Sequence, residues 1–102
     1  MPIPYVGKFP EVGGAVVYHD ERGVPHQALL TTVWGQRETS EKLPCVNLVF
    51  VSGNADQHDD YGRQIVRKSS CCHSAVVSAH GNYWRFEDEP ANPVNLAGQF
   101  QF

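Results

Sequence analysis

Apolar and polar residues in the middle of this chain alternate with a period of two, which is typical of half-buried β-strands. In the clearest case, residues 45–51, one set of side chains is Val46, Leu48 and Phe50, and the other is Cys45, Asn47, Val49 and Val51. Residues 26–34 are apolar on both faces, with Ala28, Leu30, Thr32 and Trp34 on one side and Leu29, Thr31 and Val33 on the other. A strand of this kind is expected to be covered on both sides or curled into a barrel.

The same pattern predicts five strands, at residues 15–19, 26–34, 45–51, 61–68 and 83–86. Turn chemistry separates them: Gly23 can adopt positive φ after Asp20, and His80-Gly81-Asn82 precedes the last strand. Residues 69–78 fit either a strand or a packed loop, and no window is long enough for a stable helix. We therefore predict an all-β fold, a small five-stranded SH3-like barrel, with an open sandwich of two sheets as the alternative.

Two arms flank this block. We divide the chain into an extended N-terminal arm (1–13), a β-barrel core (14–87) and an extended C-terminal arm (88–102). Prolines bias both arms towards extended geometry, which reduces the entropy lost on docking. In Gln99-Phe100-Gln101-Phe102 the alternation would place both phenylalanines on one face of a strand.

The arms and the last strand supply the predicted partner-binding residues. Tyr83 and Arg85 lie on the opposite face of that strand from Trp84, so we expect them on a partner surface. The predicted partner contacts are Tyr5, Phe9, Tyr83, Arg85, Phe100 and Phe102. The alternative is that both arms wrap the chain's own barrel and cover its edge strands.

Composition narrows the function classes. The chain has 102 residues and a formal net charge of −3, which fits one domain and argues against nucleic acid as the main partner. No apolar run is long enough to cross a bilayer, and the N-terminal residues lack the order of a signal peptide. Three cysteines are a poor basis for a disulfide framework, so we expect folding in a reducing cytoplasm.

Three groups of residues are candidates for binding an anion or a metal ion. Arg63, Arg67 and Lys68 form a basic group that could bind an anion. Asp56, His58, Asp59 and Asp60 offer metal ligands, but adjacent acids do not match a calcium loop, and we favour a solvated loop. In Cys71-Cys72-His73 the thiols are adjacent and point to opposite faces, which is the wrong spacing for zinc.

No framed nucleophile or phosphate loop is present, so we expect no catalytic residues, metal or cofactor, and predict that the protein is not an enzyme. Trp34 and Trp84 are expected to fill the core, in preference to forming an aromatic ligand shelf.

Four stretches carry a resemblance: residues 14–18, residues 28–34, Cys45-Val46-Asn47-Leu48 and Gly81-Asn82-Tyr83-Trp84. In their order the chain resembles a loose class of short proteins of unassigned role encoded by tailed bacteriophages and prophages. The resemblance covers the central block and neither arm, and the last strand departs from it, with Tyr-Trp-Arg-Phe in place of a Trp-any-Trp-Pro ending. It implies a viral origin and carries over no functional residues.

From the arms and this resemblance we expect a virion structural protein, made in the host cytoplasm and built into a multimeric assembly. A capsid decoration (cement) protein that contacts the major capsid protein is the first choice. One alternative is a small oligomeric viral protein that sequesters a nucleotide-type signal through Arg63, Arg67 and Lys68. The other is an adaptor at the portal or tail.

Overall fold

The chain forms a closed barrel of five strands. The computed structural model describes residues 7–37, 42–53, 56–77 and 79–92. In chain order the strands are β1 (Ala15–His19), β2 (Pro25–Trp34), β3 (Cys45–Val51), β4 (Ile65–His73) and β5 (Tyr83–Arg85). Each strand pairs with the next and β5 also pairs with β1, so the sheet closes on itself. This confirms the small all-β barrel, is consistent with an SH3-like arrangement, and shows that the open sandwich is wrong.

The neighbours are antiparallel except for β4 and β5, which pair in parallel over two residue pairs. The described residues contain no α-helix. Accordingly, no helix in the described part of the chain has the length and apolarity to span a membrane.

The barrel interior is filled by the inward residues of every strand. On β3 the buried residues are the ones that the alternation predicts, Val46, Leu48 and Phe50. Trp84 of β5 is fully buried, donates its indole N–H to the carbonyl of Pro44 at 3.2 Å, and meets the ring of Phe86 edge-on at 5.1 Å. The predicted core role of Trp84 is confirmed.

The predicted core role of Trp34 is wrong, because a β-bulge interrupts β2. The pairing of β2 with β3 shifts between Leu30 and Thr32, which adds one residue to β2 and reverses the faces that follow. Val33 therefore packs against the core, while Trp34 is 59% exposed and donates its indole N–H to Asn47 at 2.9 Å.

The fourth strand starts later and extends further than the predicted 61–68, because residues 71–73 join the ladder. A second bulge lies here, where Ser70 has a φ of 54° and donates its backbone N–H to the Asn47 side chain at 2.9 Å. After the bulge, Cys71 points into the barrel and is buried. Its neighbour Cys72 therefore lies on the outer face of the strand.

Cys72 forms a disulfide with Cys45, across the β3–β4 pair. The cysteine count did not predict this bond, since three cysteines are a poor basis for a disulfide framework. Adjacent strands place the two residues opposite each other, with Cα atoms 4.0 Å apart. The odd cysteine is Cys71, which is buried and free.

The described parts of both arms lie against the chain's own barrel. Phe9 packs on the core, and Gly13 donates its N–H to the carbonyl of Leu30 at 2.8 Å. Lys8 and Asp88 join the two arms through an ion pair of 3.2 Å. The predictions for residues 1–6 and 93–102 lie outside the described residues.

The β1–β2 turn is built as predicted. Gly23 has a φ of 85° and donates its N–H to the carbonyl of Asp20 at 2.8 Å. The Asp20 carboxylate accepts the N–H groups of Arg22 and Val24 and contacts His26 Nε2 at 2.8 Å. Burial by itself raises the pKa of Asp20, but the hydrogen bonds from His26 and the two amides outweigh it, so the net pKa is lowered.

Candidate functional site

An apolar strip crosses the outer face of the barrel. We define it by five outward residues: Ala15, Leu29, Val49, Val51 and Ile65. Leu29 faces Ala15 on one side and Val49 on the other, and Val51 faces Ile65. Leu29 is 52% exposed and Val51 is 73% exposed. With Gln27, Ala28 and Phe50, these residues line a depression of about 380 Å³.

Period-two geometry produces the strip. Because Val46, Leu48 and Phe50 fill the interior, the intervening Val49 and Val51 must face outward. Aliphatic side chains gathered on an exposed sheet face are more typical of a contact surface than of free solvent. Burying a side chain such as Leu29 or Val51 against a partner contributes about 1.5–3 kcal/mol.

The opposite side of the barrel is already covered. On β1 and β5 the outward residues His19 and Tyr83 are buried, with their rings stacked at 4.6 Å. Asn92 caps this side by donating its N–H to the Tyr83 hydroxyl at 2.8 Å. Within the described ranges, the strip on β2 and β3 therefore forms the apolar face that other parts of the chain leave open to solvent.

The structure places the predicted partner residues differently from the expectation. Tyr83 has no exposed surface, so its predicted role as a partner contact is wrong. Arg85 is half-buried and donates from Nε to His19 Nε2 at 3.0 Å and from Nη1 to the carbonyl of Glu89 at 2.8 Å. Phe9 is half-buried beneath the Arg37 guanidinium, which lies 5.3 Å from the ring centroid. The remaining three, Tyr5, Phe100 and Phe102, lie outside the described residues.

The basic group does not converge on one anion pocket. Arg63 Nε pairs with the Asp59 carboxylate at 3.3 Å. Arg63 and Arg67 line a depression of about 190 Å³ together with Asp59 and Asp60, whose carboxylates oppose a bound anion. Lys68 follows Arg67 directly on β4, so its side chain leaves the opposite face of the strand.

The acidic loop is organised by its own backbone. Asp59 accepts the N–H groups of Tyr61 at 2.9 Å and Arg63 at 3.0 Å. The hydrogen bond from the Arg63 amide lowers the pKa of Asp59, and the Tyr61 amide adds to the effect. In the described part of the chain, no group of three or more His, Cys, Asp or Glu residues could hold a metal ion.

All three side chains of Cys71-Cys72-His73 have structural roles. Cys72 is in the disulfide, and burial raises the pKa of the Cys71 thiol to about 12, so this group stays protonated and unreactive. The buried His73 ring contacts Glu89 Oε1 through Nε2 at 2.8 Å and accepts the Ala75 N–H at Nδ1 at 3.1 Å. Both nitrogens of the ring are therefore occupied.

The strip residues were not among the predicted contacts, although the sequence contains their signal. Both faces of β2 and β3 are apolar, and a small barrel has only one interior. One apolar face of each strand must then lie outside. Comparison of the chain with protein-family models, curated proteins and solved structures finds no match.

Proposed function

We propose that this protein is a structural subunit of a bacteriophage virion, of the capsid-decoration type, and that it binds between major capsid subunits. The observation that carries the proposal is the apolar strip, with Leu29 and Val51 more than half exposed. A face of this kind gains free energy only when another surface covers it. The phage setting comes from the resemblance in the central block.

The remaining chemistry of the described residues supports a binding role. His19 and His73 are buried, and each uses both ring nitrogens in hydrogen bonds. Cys71 is buried as a protonated thiol. These side chains hold the barrel together and have no free atom directed at a substrate, so we assign the protein a non-catalytic role.

The disulfide supports a final location of the protein outside the cell. Disulfides persist on virion surfaces, whereas the cytoplasm keeps thiols reduced. The Cys45–Cys72 bond links β3 to β4, two of the strands that carry strip residues. A chain made in the host cytoplasm and carried out on a particle would close this bond on release, when dissolved oxygen accepts the two electrons and two protons of the thiols.

In this proposal the barrel acts as a rigid plug, and the arms add contacts along neighbouring subunits. Several weak contacts on one tethered body produce strong attachment, because each bound contact raises the effective concentration of the next. Attachment through the strip should not weaken as the salt concentration rises, since screening acts on charges and not on apolar burial.

Quantitative mass spectrometry of purified virions, from a phage that encodes this chain, tests the proposal. We expect a copy number comparable to that of the major capsid protein. A few copies per particle would instead place the chain at the portal or tail, and its absence from virions would overturn the proposal.

Binding of the purified protein to particles that lack it tests the surface. Val51→Asp should abolish binding, because it introduces a charge into the strip. Val76→Asp is the matched control, since Val76 is also an exposed valine, at 49% against 73%, and lies outside both the strip and the arms. Equal binding by the two variants would show that the strip is not the attachment surface.

A further inference from the structure

We propose that the strip of one copy receives Phe100 and Phe102 of a second copy, so that the protein assembles head to tail with itself. The inference rests on the proposed assembly role and goes further, because it names what covers the strip. The acceptor consists of described residues, and the donor is the aromatic end of residues 93–102.

The spacing of donor and acceptor agrees. On an extended chain, residues two apart lie about 7 Å apart and face the same way. Val49 and Val51 have this relation on β3, and Phe100 and Phe102 would have it in an extended segment. A segment laid along β3 could therefore set one ring against Val49 and Leu29 and the other against Val51 and Ile65.

The donor is also suited to an apolar site by its lack of charge. Residues 93–102 contain no Asp, Glu, Lys, Arg or His, although Glu87, Asp88 and Glu89 precede them closely. Its side chains can be buried without the large cost of desolvating a charged group. Gln99 and Gln101 alternate with the two phenylalanines and would remain on the solvent side.

The proposed assembly role favours a second copy over the same barrel, because only a contact between molecules connects one subunit to the next. The last described residue, Asn92, is held on the outer side of β5 by its contact with Tyr83, and the strip runs from β1, the neighbour of β5, across β2 and β3 to β4. Phe100 lies eight residues further along, a reach of at most about 26–29 Å, so both arrangements are within reach. Sedimentation separates them, because docking of the segment on its own barrel leaves the wild type monomeric.

A donor segment and an acceptor strip are different surfaces, so the contact is heterologous. Heterologous contacts generate rings when the rotation closes and open chains when it does not. Each copy then contributes one donor and one acceptor. For a decoration protein, this would connect neighbouring copies across the particle surface.

Sedimentation velocity of the full chain across a concentration series tests the inference. We expect wild type to self-associate. Leu29→Ser/Val51→Ser should remove the acceptor and Phe100→Ser/Phe102→Ser the donor, each weakening self-association by about 100-fold or more, since two large apolar side chains are lost. Val12→Ser, outside the strip, should behave as wild type. Circular dichroism and the unfolding midpoint confirm that each variant folds.

Mixing the two double variants provides the sharpest readout. The donor variant keeps an intact strip and the acceptor variant keeps intact phenylalanines, so the mixture should form a 1:1 heterodimer that grows no further. A monomeric wild type would overturn the inference, as would loss of association in the strip variant alone, because the strip would then receive something other than the phenylalanines.

The two proposals fail in different ways. Self-association through these residues in a protein absent from virions would contradict the decoration role and leave the inference standing. Stoichiometric presence in virions with a monomeric protein in solution would contradict the inference and leave the role standing.

Discussion

Buried imidazoles close the side of the barrel opposite the strip. The His19 ring must accept from Arg85 at Nε2, because a guanidinium can only donate, so its Nδ1–H donates to the carbonyl of Gly23 at 2.9 Å. By the same reasoning, His73 accepts the Ala75 amide at Nδ1 and donates from Nε2 to Glu89. The His19 ring is therefore neutral in this geometry, which makes its side of the barrel sensitive to acid.

His19 should therefore give stability a pH dependence. Burial of the ring lowers the pKa of His19 below its usual value of 6.5, and the nearby Arg85 lowers it further. The folded chain then resists a proton that the unfolded chain accepts, so this contribution is complete above pH 6.5 and is lost as the pH falls towards the folded-state pKa.

Urea unfolding at several pH values, with an NMR titration of the imidazole, measures this effect. We expect the unfolding free energy to fall between neutral and mildly acidic pH, and His19→Gln to flatten that part of the profile. An imidazole that titrates at or above the usual value would contradict this account.

Gly81 is required by close approach rather than by its own flexibility. A Cβ atom at Gly81 would lie 2.2 Å from the backbone carbonyl oxygen of Asp20, because the loop before β5 packs directly on the β1–β2 turn. Neither backbone can move without disturbing the Asn82 N–H, which donates to the carbonyl of His19 at 2.7 Å.

Gly81→Ala should destabilise the fold by about 1–3 kcal/mol through this clash. Gly53→Ala is the matched control, since its Cβ would meet nothing within 4 Å. Chemical denaturation of both variants measures the difference, and equal stabilities would show that the two loops separate at little cost.

At the scale of elements, periodicity predicts a strand well until a bulge interrupts it. β1 and β3 have the predicted bounds, because their alternation is unbroken. In β2 the extra residue near Thr31 carries no sequence signal, and it moves Trp34 from the interior to the surface. The end of β4 was also hidden, since Ser70 adopts positive φ and the polar residues around it resemble a loop.

The disulfide could not be predicted from cysteine count either. Cys45 and Cys72 are 27 residues apart in sequence, and only the register of β3 against β4 brings them together. Once the register is known, the two cysteines occupy facing positions on adjacent strands, close enough to form a disulfide.

Removing this bond should destabilise the barrel by roughly 3–4 kcal/mol, from the loop-closure entropy of a 27-residue separation. We expect Cys45→Ser/Cys72→Ser, or reduction of the wild type, to lower the unfolding midpoint. Adding reductant to the double variant should produce no further change. Alkylation after denaturation without reductant should label one thiol per chain, Cys71, and labelling of three would show that the bond does not form.

For the whole molecule, the hydrophobic pattern predicts the barrel. It does not predict which part of the outer surface is covered by other residues and which part is left exposed as the strip. Which outward face is covered depends on where the segment after β5 lies, and long-range contacts decide that position. Asn92 fixes it: its side-chain Nδ2 lies 3.2 Å from the carbonyl of Ser74, 2.5 Å from that of Val77 and 3.0 Å from that of Ala79. The same residue therefore covers the Tyr83 hydroxyl and ties the end of the described chain to the loop after β4.

Asn92→Ala should loosen this cover without opening the barrel. Its loss removes the hydrogen bonds to three partly exposed carbonyls, which costs about 0.5–1.5 kcal/mol per bond, and weakens the burial of Tyr83. We expect a lower unfolding midpoint together with faster hydrogen exchange at β5, while the β2–β3 amides keep their protection. Gln27→Ala removes a comparable amide from the exposed outer face of β2 and should change neither. Faster exchange spread evenly over all five strands would mean that the segment after β5 holds the whole barrel closed, because the β1–β5 ladder would then open with its cover.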